Sequence, residues 1–132
     1  MKKVFCVCLL FLGVAKVGFA GMIVLDNQTA YPAKNAKIAI QWAGSGKEVD
    51  EGNQALITGS GLDAGKLEFL DETGKVVVTV PKKAEYFRVL VWAKGGEGPD
   101  LHTNWVDVVS DKNYVLKKEH LVPCALIMGP GC

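Results

Sequence analysis

The residues best equipped for chemistry sit in the last third of the chain: His102, Asn104 and Trp105, then His120, Cys124, Met128 and Cys132. His120 and Cys124 are four apart and Cys132 is eight further on, with Met128 between. One segment thus supplies imidazole, two thiolates and a thioether, ligands suited to copper(I) or zinc. Pro123 and Pro130 restrict how that segment can wrap an ion, and the usual zinc pattern has two close pairs. The same cysteines have a simpler use. Cys124 and Cys132 paired as a disulfide would close a nine-residue ring, lowering unfolded-chain entropy by roughly 2.5 kcal/mol. Gly129-Pro130-Gly131 supplies the turn, and the apolar Ala125 to Met128 would pack on the domain or on a partner. Cys132 could instead bond a second molecule.

Catalytic motifs fail on spacing. Gly44-Ser45-Gly46-Lys47 has Gln41 where a phosphate loop needs its first glycine, and Glu48 where it needs a hydroxyl. Ser45 and Ser60 both lack the flanking glycines of a hydrolase elbow. His102 and His120 are the only imidazoles, so any triad would need one of them as its base. The sequence predicts no enzyme and no cofactor. Asp50 and Glu51, Asp71 and Glu72, and Glu97 and Asp100 read as acidic loops, but none has calcium-loop spacing. Asn27-Gln28-Thr29 matches a glycosylation acceptor. Trp105, if it lies on the strand face opposite Val106 and Val108, is exposed beside His102 and Asn104 and makes a contact patch for protein or glycan; a core position is the competing reading.

The elements that must position these groups begin after a leader. Residues 1–20 carry Lys2 and Lys3, an apolar run from Val4 to Val14, and small residues ending at Ala20. That order predicts a secretory signal peptide cleaved after Ala20. The run is shorter than the about twenty apolar residues a spanning helix needs. Cys6 and Cys8 lie inside it, which argues against a lipid anchor. Export would place the protein in the periplasm or outside the cell, where a disulfide persists.

The whole chain of 132 residues has 15 basic and 14 acidic side chains, a net charge of +1. Losing Lys2, Lys3 and Lys16 leaves 12 basic against 14 acidic, so the mature chain 21–132 carries about −2, with signs interspersed. Nucleic-acid binding has no electrostatic footprint there. The length fits a single domain that can bury a core.

Short alternating runs predict an all-β domain. Met22 to Asp26 is a first strand. Ala36, Ile38, Ile40 and Trp42 share one face of the next, with Lys37 and Gln41 opposite. Gln54 to Thr58 reads as a short strand, although Ala43 to Gly65 has room for a long excursion or a short helix. Lys66 to Leu70, with Leu67 and Phe69 inward, and Lys75 to Val80 read as a hairpin about Asp71-Glu72-Thr73-Gly74, ended by Pro81. Tyr86 to Ala93 is apolar on both faces except for Arg88, as a central strand would be. Gly95 to Asp100 is loop. Asn104 to Val109 and Asn113 to Lys117 complete the set, joined at Ser110-Asp111-Lys112. Seven to eight such strands predict an Ig-like or prealbumin-like Greek-key sandwich.

Ala33-Lys34-Asn35-Ala36-Lys37-Ile38 resembles the opening strand of prealbumin-like domains, the group that includes carboxypeptidase regulatory-like modules. Residues 71–81 followed by Tyr86-Phe87-Arg88-Val89 resemble their turn, strand, proline and aromatic strand. The resemblance covers residues 33–93, and departs from the pattern at Ala43 to Gly65 and in lacking a glycine before Tyr86. It implies a binding or spacing module with no catalytic residues. The reading is therefore an exported, monomeric, non-catalytic module that contacts a protein, or secondly a glycan, through the loop Gly95 to His102 and the residues His102, Asn104 and Trp105, without entering the membrane. Two rivals are a metal-handling protein using His120, Cys124, Met128 and Cys132, and a secreted enzyme inhibitor presenting the ring 124–132.

Overall fold

In the computed structural model, which describes residues 21–124, the alternation around Ile38 becomes strand β2 (Lys37–Ala43), with Ala36 just before it. Ile38, Ile40 and Trp42 face a core shared with Phe87, Val89 and Val91 of β5 (Tyr86–Trp92). These two strands pair antiparallel along their whole length, Lys37 opposite Trp92 through Ala43 opposite Tyr86. Both are covered on each face, which is why Tyr86 to Ala93 carries so few polar residues.

The remaining strands build two sheets around that pair. Strand β1 (Met22–Asn27) lies between β4 (Gly74–Thr79), antiparallel, and β8 (Asn113–Leu116), parallel. The larger sheet runs β3 (Leu67–Phe69), β2, β5, β6 (Leu101–His102), β9 (Val122–Pro123), with β7 (Val106–Asp107) also pairing with β5. Ile23, Leu25, Val78, Val80 and Leu116 from the smaller sheet side meet the β2 and β5 side chains in one buried cluster. The protein is thus mostly β, with two sheets of three and six strands packed face to face, as in a sandwich.

A third layer departs from the all-β expectation. Residues Gly46–Thr58 form a helix, α1, not a strand at Gln54 to Thr58. Its signature is local. Ser45 caps it, its hydroxyl accepting from the Glu48 N–H at 3.2 Å, while the Glu48 carboxylate accepts from the Gly44 N–H at 2.8 Å. Gly59, at φ 79°, ends it by returning its N–H to the Ala55 carbonyl. Lys66 also bonds Glu48 at 2.6 Å, fixing the start of the helix to the turn before β3. Leu56 then packs with Ala39, Leu90, Trp92 and Cys124 on the outer face of the larger sheet. Asp50 and Glu51 are therefore helical residues rather than a loop pair.

Three other expectations are corrected. β3 and β4 do not form a hairpin: β3 pairs with β2 in the large sheet and β4 with β1 in the small one, so the chain changes sheets at 70–73. The buried Leu70, whose N–H reaches the Ile38 carbonyl, and the positive φ of Gly74 make that corner. Leu67 and Phe69 sit opposite Gln41 and Ala39, on the helix side, with Phe69 against Trp92 at 5.3 Å. The run from Asn104 to Val109 is strand only at Val106–Asp107, and β7 and β8 again lie in different sheets.

Asn27 is buried, donating to the Tyr31 carbonyl at 2.7 Å and accepting from the Thr29 N–H and hydroxyl, so the fold hides the glycosylation acceptor. The expected leader 1–20, Met128, Cys132 and the apolar Ala125 to Met128 lie outside the described residues.

Truncating the core should be far costlier than uncapping the helix. Ile38→Ala should lower the urea-unfolding free energy by about 2–5 kcal/mol, and Ser45→Ala by about 1 kcal/mol; equal losses would show that α1, not the sheet pair, limits stability.

Candidate functional site

Arg88 is the one charged residue on the covered face of β5, and it faces α1 rather than the inter-sheet core. Its Nε donates to Gln41 Oε1 at 2.7 Å, directly across the β2–β5 pair. One terminal nitrogen donates to Asn53 Oδ1 at 3.0 Å and the other to the Gly52 carbonyl at 3.1 Å. The guanidinium therefore ties the middle of the helix to the sheet. Gly52 allows the approach: a Cβ there would lie 3.2 Å from both Gln41 Nε2 and Trp105 Cζ2.

Trp105 closes the other side. Leu90 pairs with His102, but Phe87 pairs with Val106, so residues 103–105 hold one residue more than β5 does between those pairs. That extra residue is a bulge, and a one-residue slip turns a side chain to the opposite face. It brings Trp105 to the helix side, with the Arg88 guanidinium 4.4 Å from its ring centre and its Nε1 donating to Asn53 Oδ1 at 3.0 Å. Thr103 pins the bulge. Its hydroxyl accepts from the Val89 N–H at 2.9 Å and donates to the Asn104 carbonyl at 2.9 Å.

His102 lies beside this arrangement, only 6 % exposed. Its Nδ1 is 2.8 Å from the Thr103 carbonyl, which can only accept, so Nδ1 carries the proton. Nε2 is then a bare acceptor, and it is buried without a hydrogen-bond partner. Such an atom costs stability unless something fills the gap. Burial, chiefly, and the nearby Arg88 charge hold the imidazole below its ordinary pKa, against the Thr103 bond that raises it. Burial alone depresses Arg88, to about 10, and it makes no ion pair among the described residues. At neutral pH the site holds a neutral imidazole and an uncompensated cation.

These side chains surround a cavity of about 580 Å³ between α1 and the sheet. Asp50, Asn53 and Ile57 line it from the helix, Arg88 from β5, and His102, Asn104 and Trp105 from the bulged segment. His102, Asn104 and Trp105, singled out from sequence, thus share one cavity wall. Trp105 is half-buried and Asn104 exposed. Arg88 and Asn53 were not singled out. A lone arginine in an otherwise apolar strand is the available signal for Arg88; Asn53 has none, since it falls just before the run Gln54 to Thr58 that reads as a strand.

The loop Gly95 to Asp100 is elsewhere. Glu97 accepts from the Trp92 indole N–H at 3.2 Å, and the Asp100 carboxylate accepts the Ala93 and Lys94 N–H groups. His120 is exposed, its Nδ1 accepting from the Lys117 N–H at 3.0 Å, and it borders the opening between the sheets. Cys124 is buried on the helix side, its Sγ 3.6 Å from the Pro99 carbonyl oxygen. Those two members of the suggested metal set therefore lie against different faces of the large sheet. No group of three or more His, Cys, Asp or Glu side chains placed to hold a metal occurs among the described residues, and no helix among them is long and apolar enough to cross a membrane. Comparison of the chain with family models, curated proteins and solved structures finds no match.

Two outcomes follow. Because the folded imidazole titrates below its unfolded value of about 6.5, the unfolded chain binds the extra proton, and stability should fall as pH drops through about 6.5. Unfolding free energies of wild type and His102→Gln between pH 7.5 and 5 should diverge in that direction, and parallel curves would remove His102 as the cause. Arg88→Met strands the acceptors on Gln41 and Gly52 and should cost roughly 2–4 kcal/mol in denaturant unfolding.

Proposed function

We propose that this protein is an exported, non-catalytic β-sandwich module, periplasmic or secreted, that works by binding. What carries the reading is the cavity under α1, with His102 in its wall and that residue's Nε2 buried without a hydrogen-bond partner among the described residues. A concave space of this size, with mixed apolar and polar walls, suits a small polar ligand better than a flat protein face. Of the two partner classes expected from sequence, the cavity favours the glycan. Trp105 offers an aromatic surface, while His102, Asn53 and Asn104 offer acceptors and donors matched to hydroxyl groups. The cavity-forming bulge, not the loop Gly95 to Asp100, is the contact surface in this reading.

An Ig-like or prealbumin-like Greek-key relationship belongs to the same proposal, supported by the two packed sheets with β2 and β5 paired in the larger one. So does the Cys124 to Cys132 ring, whose near end is buried against Trp92 and Leu56.

The test is a backbone-amide NMR titration against a panel of mono- and disaccharides together with non-sugar fragments. Ligands that bind should shift amides of α1 and of residues 102–106, and Trp105→Ala should abolish those shifts while leaving the rest of the spectrum folded. Binding confined to other surfaces, or binding indifferent to Trp105→Ala, would sink the proposal.

A further inference from the structure

Resting on that reading of the cavity, we infer that its ligand is a hydroxylated carboxylic acid, an acidic sugar of the uronate class, with its carboxylate at Arg88 and a hydroxyl donated to His102. Two independent observations specify the two ends.

The first is the cation. Three of the five N–H groups of Arg88 are used, by Gln41, Asn53 and Gly52, and all three acceptors are neutral. Both terminal nitrogens keep one N–H each without a hydrogen-bond partner among the described residues. A guanidinium withdrawn from water normally sits against a carboxylate, because its desolvation otherwise goes uncompensated. Among the described residues the only acidic side chain on the cavity wall is Asp50, which is exposed to solvent on α1 and makes no ion pair with Arg88. A ligand carboxylate would provide the missing charge through charge-assisted hydrogen bonds.

The second is the acceptor. With its proton fixed on Nδ1 by the Thr103 carbonyl, His102 offers Nε2 only as an acceptor. A carboxylate cannot satisfy it, being an acceptor too; a hydroxyl can. The ligand must therefore carry donor and anion together, and the Trp105 ring, with Leu56 and Ile57, leaves the rest of the wall apolar enough for the faces of a sugar ring. Simple carboxylates lack the donor, and neutral sugars lack the charge.

The charged groups on the cavity wall are Arg88 on β5 and Asp50 on α1. The donated hydroxyl favours the neutral imidazole with either kind of sugar, whereas a carboxylate adds an anion nearby, so the His102 pKa should lie higher with a uronate bound than with a neutral sugar bound.

The experiment is calorimetric titration of the mature protein with methyl glucuronide, methyl glucoside, acetate and a polyuronate oligomer, alongside NMR titration of the His102 imidazole. Methyl glucuronide should bind roughly tenfold or more tighter than methyl glucoside, acetate should bind weaker still, and the His102 pKa should lie higher at saturation with the glucuronide than with the glucoside. Arg88→Lys, which keeps the charge but loses the fork, should narrow the preference while leaving the amide spectrum folded. Stronger binding of the oligomer than of the monomer would assign a polymer as the source, and equal binding a free acidic sugar. Equal affinity for glucuronide and glucoside, with shifts at residues 102–106, would overturn the inference and leave the cavity as a neutral-sugar site. Absence of binding by all four probes would overturn it too, and if the broader panel also leaves the cavity untouched, the binding reading falls with it.

Discussion

A guanidinium taken out of water and given only neutral oxygens is the constraint around which the helix side of this protein is arranged. Arg88 cannot leave β5, since its neighbours Phe87 and Val89 are fixed in the inter-sheet core. Its head group must therefore be satisfied where it stands. Gln41 does this from the adjacent strand, and Gly52 and Asn53 from a helix that has to pass close overhead. The helix register, the absence of a side chain at position 52 and the position of Trp105 all follow from that requirement. Breaking one such contact costs more than any single one contributes, because each lost partner leaves a polar group buried.

The same arrangement shows how a sheet edge becomes a site. Without the extra residue between β6 and β7, the position opposite Arg88 would fall to Asn104, and Trp105 would turn toward the other sheet. The bulge exchanges a short polar side chain for an indole at that point. It also leaves His102 with its ring anchored through one nitrogen and empty at the other. Shape, charge and hydrogen-bonding capacity thus converge on one side of one strand.

Legibility in the sequence followed the range of the interactions. The faces of β2 and the central place of β5 were readable, because period-two alternation and a doubly apolar run report burial directly. The helix was not, though Ser45, Glu48 and Gly59 spelled its ends; its interior is polar at most positions, with Ala55 and Leu56 alone buried. Whether Asp71 to Gly74 joins partners or changes sheets depends on what pairs with β4, and that partner, β1, lies some fifty residues away. His102, Asn104 and Trp105 could be named as a patch from residue type. Arg88 and Asn53 could not be joined to them, since the bulge that gathers all five is a matter of register rather than of composition.

The parallel pairing of β1 with β8 sets an order on the life of the chain. β1 is the middle strand of its sheet, yet Val24 to Asn27 find their partners at Asn113 to Leu116. The small sheet therefore gains its third strand only when nearly the last of the described residues has been made, whereas β4 can pair with β1 and bring Ile23, Leu25, Val78 and Val80 to the core well before that.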